Sequence, residues 1–136
     1  MNDETFNTLK IEVDTDLELN KNNIIEKNLL IPKLYNKYLN IYNKELKLYK
    51  DYLLLKDKTY GELFHYYKFD YHIKLDKKTD IDPYINNDIK FNKICYKLNN
   101  QEIYIKWIEK ILDNIKQMGY SIKNFIEYQK FLNGSN

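Results

Sequence analysis

Between Phe91 and Ile115 the apolar residues recur at steps of three and four: Phe91, Ile94, Leu98, Gln101, Ile105, Ile108, Leu112 and Ile115, with Gln101 the one polar member. This is the a/d spacing of a coiled-coil helix. A second stripe, Tyr104, Trp107, Ile111 and Met118, runs beside it. A two-stranded seam needs only one stripe, so a helix with two adjoining stripes must meet neighbours on two sides, as in a bundle or a ring of helices. The pattern leaves open whose neighbours they are. They belong either to the same chain, in a small monomeric bundle, or to other copies. In the second case Ile94, Leu98, Ile105, Trp107, Ile108, Ile111, Leu112 and Ile115 are the expected oligomer interface.

Pro32 fits the first turn of a second long helix, where its missing donor costs nothing. From there the pattern predicts helix over about 33–67. Leu34, Ile41, Leu48 and Leu55 are seven apart; so are Leu39, Leu46, Leu53, Tyr60 and Tyr67, and so are Tyr35, Tyr42 and Tyr49. The opposite face carries Lys37, Lys44, Lys47, Lys50, Asp57 and Lys58, which reads as a solvated face or as a lysine track for a nucleic-acid backbone. Gly61 weakens the helix by roughly 1 kcal/mol relative to Ala and marks an expected bend. Asp82-Pro83 reads as a cap and first helical residue, which starts the Trp-bearing helix at about 85 and runs it to 118. Gly119 reads as its stop, and a short last helix over about 121–133 ends at Gly134. Residues 4–19 are ambiguous. Phe6, Leu9 and Val13 suit a helix face, whereas Leu9, Ile11, Val13, Leu17 and Leu19 alternate as a strand does. The expected class is all-α, with three regions: residues 1–30, 31–78 and 83–136.

Charge separates these regions. Residues 1–30 have more acids than lysines, while Lys33–Lys78 carries an excess of five positive charges in a chain whose formal net charge is +2. An acidic head thus precedes a basic middle. Its contact with phosphates is weak per chain, and strong binding needs several copies acting together. Within the middle, Tyr66, Tyr67, Phe69 and Tyr71 interleave with Lys68 and Lys74, and Lys56 and Lys58 lie just before them. Aromatic faces that stack bases beside ammonium groups that hold phosphates are the ingredients of a single-strand platform. The other reading is a hydrophobic corner in an aromatic-rich chain. The 14 Tyr and the absence of Arg and Ala also suit a compositional bias from an AT-rich genome.

Several chemistries lack their residues. His65 and His72 are seven apart without cysteine partners, which disfavours zinc. Asp76, Asp80, Asp82 and Asp88 do not follow a calcium-loop spacing. Neither a Gly-rich phosphate loop nor a Ser/His or Cys/His arrangement is evident, so no enzyme, cofactor or metal is expected. The lone Cys95 reads as an inert thiol, and no apolar run reaches the ~20 residues of a membrane span.

Along the chain come Leu34-Tyr-Asn-Lys-Tyr-Leu-Asn-Ile-Tyr42, then Tyr60 and the Tyr66-Tyr67 pair, then the Trp107 helix leading to Ile115-Lys-Gln-Met-Gly-Tyr-Ser-Ile-Lys-Asn-Phe125 and Phe131-Leu-Asn-Gly134. This order of pieces resembles the UvsY family of recombination mediators from T-even-type and related marine phages. The resemblance implies a helical, ring-like homo-oligomer, hexameric or heptameric, with no enzymatic activity. Its implied role is to bind single-stranded DNA and help the phage recombinase replace the phage single-strand-binding protein. That role belongs to recombination, repair and recombination-dependent replication in the cytoplasm of the infected host. On this reading residues 31–78 contact DNA through Lys56, Lys58, Tyr66, Tyr67, Lys68 and Lys74, and residues 83–136 oligomerise. A helical oligomeric adaptor that ignores nucleic acid is the alternative. The chain departs from the family just before the Tyr pair, where relatives tend to carry basic residues and this one has Gly61 and Leu63.

Overall fold

Asn2 opens the first helix: its side-chain oxygen accepts the Thr5 amide at 2.8 Å. Asp3 and Glu4 place carboxylates in the first turn, where the helix dipole favours them. The computed structural model describes residues 1–134. Its helices are α1 (Asp3–Asp16), α2 (Ile24–His65), α3 (Lys78–Asn86) and α4 (Ile89–Leu132), with a π-helical turn, Tyr66–Asp70, directly after α2. No strand occurs among the described residues. The strand alternative for the N-terminal piece fails because Leu9 and Val13 are buried while Ile11, between them, is 70% exposed. The inward positions are four apart, the helical step. No helix among the described residues is long and apolar enough to cross a membrane.

Three expected boundaries need correction. α2 starts at Ile24, well before Pro32, and passes through that proline. An internal proline loses one hydrogen bond and crowds the preceding turn. Here Ile24 is buried, Leu30 and Ile31 pack on the same core, and their burial holds the turn on the N-terminal side of Pro32. Residues 78–86 form a helix of their own, with Pro83 inside it. The cap of the Trp-bearing helix is Asp88, not Asp82: Asp88 accepts the Lys90 amide at 2.8 Å. α4 also does not stop at Gly119. It is one helix of 44 residues, and its last turn is left behind only near Gly134, whose φ is +70°. Met118 and Ile122 are buried on either side of Gly119, and Phe125 and Ile126 pack on the same core. Their burial exceeds the ~1 kcal/mol a helical glycine costs. Gly61 likewise lies inside α2 without interrupting it.

The chain divides into two compact units, Met1–Lys44 with the chain from Tyr104 on, and Glu45–Ile103. In the first unit, Leu9, Val13, Ile24, Leu34, Tyr38, Ile111, Leu112, Ile115, Met118 and Ile122 form the core. Trp107 meets Phe6 edge to face at 4.8 Å. The polar centre of this unit is Asp16, which accepts hydrogen bonds from Lys37 at 2.6 Å and from the Tyr38 hydroxyl at 2.7 Å. Burial pushes the Asp16 carboxyl up, but these two hydrogen bonds outweigh it and hold the group below its ordinary 3.8. Burial pulls Lys37 down, and its bonds to Asp16 and Glu12 outweigh that, lifting it above 10.5.

The sign of the pH dependence follows. A depressed carboxylate contributes stability that is full above its ordinary value and disappears as pH falls through the lower folded value. The Lys37 contribution is full below its ordinary value and is lost as pH rises through the higher folded one. An Asp16→Ala variant is expected to lose about 1–3 kcal/mol, because the fully buried Tyr38 is left without its acceptor. Urea unfolding at neutral pH checks the loss. Repeating it at falling pH should show parent and variant drawing together below about 3.8. A gap that stays constant down to that range would detach Asp16 from the effect.

The second unit has its own core of Leu63, Tyr67, Leu75, Ile81 and Ile85, with Tyr60, Phe64, Tyr71, Tyr84 and Phe91 packed against it. Gln101, the polar member of the stripe, is buried here, and its Nε2 donates to the Glu45 carbonyl at 2.8 Å and to the Glu45 carboxylate at 2.6 Å.

Candidate nucleic-acid interface

The aromatic and lysine-rich corner lies wholly in the second unit. α2 ends at His65, and the next five residues wind as a π turn closed by the Tyr71 amide donating to the Tyr66 carbonyl at 2.9 Å. The wider turn accommodates an extra residue and re-aims the side chains that follow. The two tyrosines of the pair differ in exposure. Tyr67 is 9% exposed, and its hydroxyl donates to Asp88 at 2.8 Å, which raises the phenol to about 12. Tyr66 is 44% exposed and rests edge-on against Tyr67 at 5.1 Å. Tyr66 therefore has a ring that a base can reach, whereas Tyr67 ties the π turn to the start of α4.

The cations split as well. Lys68 is exposed, with its ammonium 5.5 Å from the Phe69 ring. Lys58 and Lys74 are exposed. Lys56 is half-buried, and its ammonium lies 5.9 Å from the Phe91 ring. At about 100° per residue, Lys56 and Lys58 stand on nearly opposite sides of α2. The fold thus brings Lys68 and Tyr66 together on one turn, keeps Lys58 on an open face of α2, and places Lys56 against α4. Phe69, 65% exposed beside Lys68, is a second accessible ring. Its position in the interleaved aromatic run was the available signal; its exposure depends on the π turn.

The eight residues expected at an oligomer interface have other surroundings in the single chain. Leu98, Ile105, Ile108, Ile111, Leu112 and Ile115 are buried within it, and Ile94 and Trp107 are half-buried. The apolar side chains α4 leaves open are different ones: Ile89, Tyr96 and Ile103, seven apart, and further on Tyr120, Tyr128, Phe131 and Leu132. The described residues include no group of three or more His, Cys, Asp or Glu able to hold a metal ion. Cys95 is half-buried and unpaired by any disulfide.

Accessible aromatic rings beside unshielded ammonium groups on an all-helical frame have the chemistry of a helical class of nucleic-acid-binding protein. A family model described as "Recombination, repair and ssDNA binding protein UvsY" matches residues 12–135, and the chain belongs to this family. The fold agrees. One crystal form of the bacteriophage T4 recombination mediator protein UvsY superimposes with a TM-score of 0.82 at 20% identity, covering 96% of this chain and 97% of that one. Another form gives a TM-score of 0.80 at 20% identity, covering 92% and 96%. No curated protein sequence matches the chain.

Proposed function

We propose that this protein is a single-stranded-DNA-binding recombination mediator. It helps a phage recombinase displace the single-strand-binding protein from DNA, in the cytoplasm of the infected bacterium. The observation that carries the reading is the family match over residues 12–135. Tyr66, Lys68 and Phe69, with the exposed Lys58 and Lys74, supply chemistry that suits it, with rings for bases and point charges for phosphates. Asp57, Glu62 and Asp70 dilute the positive charge of each chain near this corner. Useful affinity therefore calls for several copies engaging one strand. A ring-like homo-oligomer meets that need. The side chains offered to a neighbouring copy are open ones, Tyr96 and Ile103, since the buried stripe is already covered in the protomer.

The test is sedimentation velocity with labelled oligo-dT at low salt. Protein and label should travel together as one large species and separate when salt is raised, because lysine–phosphate contacts release counterions. A large protein species that leaves the label behind would replace this reading with the helical adaptor. Substituting Lys56, Lys58 and Lys68 together with Gln should weaken binding and lower the salt slope by roughly 0.7 for each lysine that contacts phosphate. Helicity should be unchanged, and an unchanged slope would place the contact elsewhere.

A further inference from the structure

The second unit contains a cleft of 610 Å³ lined by Glu62, Leu63, Tyr66, Tyr67, Asn87, Asp88, Ile89 and Lys90. We infer that this cleft takes one unstacked nucleobase of the bound strand and prefers bases that carry an exocyclic amino group. The inference rests on the reading of the protein as a single-strand binder and adds to it a site with a chemical preference.

Three polar side chains of the cleft, those of Tyr67, Asn87 and Asp88, are already engaged. Asp88 accepts the Tyr67 hydroxyl at 2.8 Å on one oxygen and the Lys90 amide at 2.8 Å on the other. The Asn87 side-chain amide donates to the Pro83 carbonyl at 2.8 Å. These bonds fix the walls. Two charged groups remain: the Glu62 carboxylate and the Lys90 ammonium have no partner among the described residues, and both residues are exposed. The same cleft is lined by the accessible ring of Tyr66 and the apolar side chains of Leu63 and Ile89. A nucleotide has the complementary parts. Its base has a π-face for Tyr66, and its phosphate is an anion for Lys90. Its edge is what Glu62 reads.

An ionised carboxylate only accepts hydrogen bonds. The amino groups of cytosine, adenine and guanine donate to it. Thymine offers a single N–H donor flanked by two carbonyl oxygens, which repel a carboxylate. Glu62 is therefore a specificity element that lowers affinity for thymine relative to cytosine. It does so in a site where charge alone makes no distinction between bases.

The experiment compares labelled oligo-dC and oligo-dT of equal length on the full chain by fluorescence anisotropy. It is run at matched salt and mildly alkaline pH, where cytosine stays unprotonated. The parent should bind oligo-dC about 5- to 10-fold more tightly, within the range a carboxylate–amino contact gives. Glu62→Leu should remove the difference while leaving the circular dichroism spectrum unchanged, since Glu62 is exposed and bonds to nothing that holds the fold. Tyr66→Leu should weaken both oligonucleotides. Equal salt-sensitive binding of the two by the parent would overturn the preference and leave the single-strand reading intact. A preference that survives Glu62→Leu would overturn the role of Glu62. Failure to bind either oligonucleotide would overturn the single-strand reading, and the cleft assignment with it.

Discussion

An Ile108→Asp variant should lose its cooperative thermal transition and most of its helical signal. Ile108 is 0% exposed within a single chain. The substitution removes a fully buried branched side chain, a change in the class that costs about 2–5 kcal/mol. It also buries a carboxylate away from water, for several kcal/mol more. Against a typical total stability of about 5–15 kcal/mol, that leaves little or nothing. The matched control is Ile103→Asp, on the same helix but 60% exposed. It should keep its circular dichroism spectrum and melting behaviour, and its mass in solution should fall if the open face of α4 meets a neighbouring copy. An Ile108→Asp protein that melts like the parent would show that this part of α4 is not core.

The second large effect is expected at the buried polar pair. A Gln101→Leu variant removes two hydrogen bonds from Glu45, one to its carboxylate and one to its carbonyl. The bond to the charged carboxylate contributes about 1.5–3 kcal/mol, and the bond to the neutral carbonyl about 0.5–1.5 kcal/mol. The loss in urea denaturation should therefore be about 3 kcal/mol. The double variant Glu45→Leu with Gln101→Leu should regain part of it, because the buried carboxylate leaves together with the amide that bonded it. Additive losses in the double variant would mean that the pair is not coupled. The pair also fixes register: one polar layer in an apolar stripe lets the α4 stripe pair with Glu45 in only one alignment.

Much of the helical frame was legible because periodicity is a local property. The three-and-four spacing from Phe91 to Ile115 required a helix with two covered sides, and five of the eight positions in the first stripe are buried apolar residues. A stripe cannot say which chain covers it. The apolar contacts that bury Leu112 and Ile115 come from the same protomer, through Leu34 and Tyr38 of α2 and Leu9 and Val13 of α1. The two misread boundaries, Pro32 as a helix start and Gly119 as a stop, have a common cause. Each is a local signal of a few kcal/mol or less, and each sits among residues whose burial in the first core exceeds it.

The candidate interface divides in the same way. The interleaving of Tyr66, Tyr67, Lys68, Phe69 and Lys74 was visible as composition, and so was the charge excess around it. Which ring is open was not, because that choice depends on the π turn and on Asp88, a residue far enough along the chain that no local rule links it to Tyr67. By itself the sequence determined the all-helical class, the stripe that must be covered, the acidic head and basic middle, and the resemblance to the UvsY family. The tertiary structure alone decided that the stripe is the protomer's own core, that Tyr66 faces solvent while Tyr67 supports it, and that Glu62 and Lys90 stand unpaired on the same cleft. The physical reason is that spacing along one helix fixes only which residues share a face. Burial and pairing depend on elements distant in sequence that arrive at that face when the chain folds.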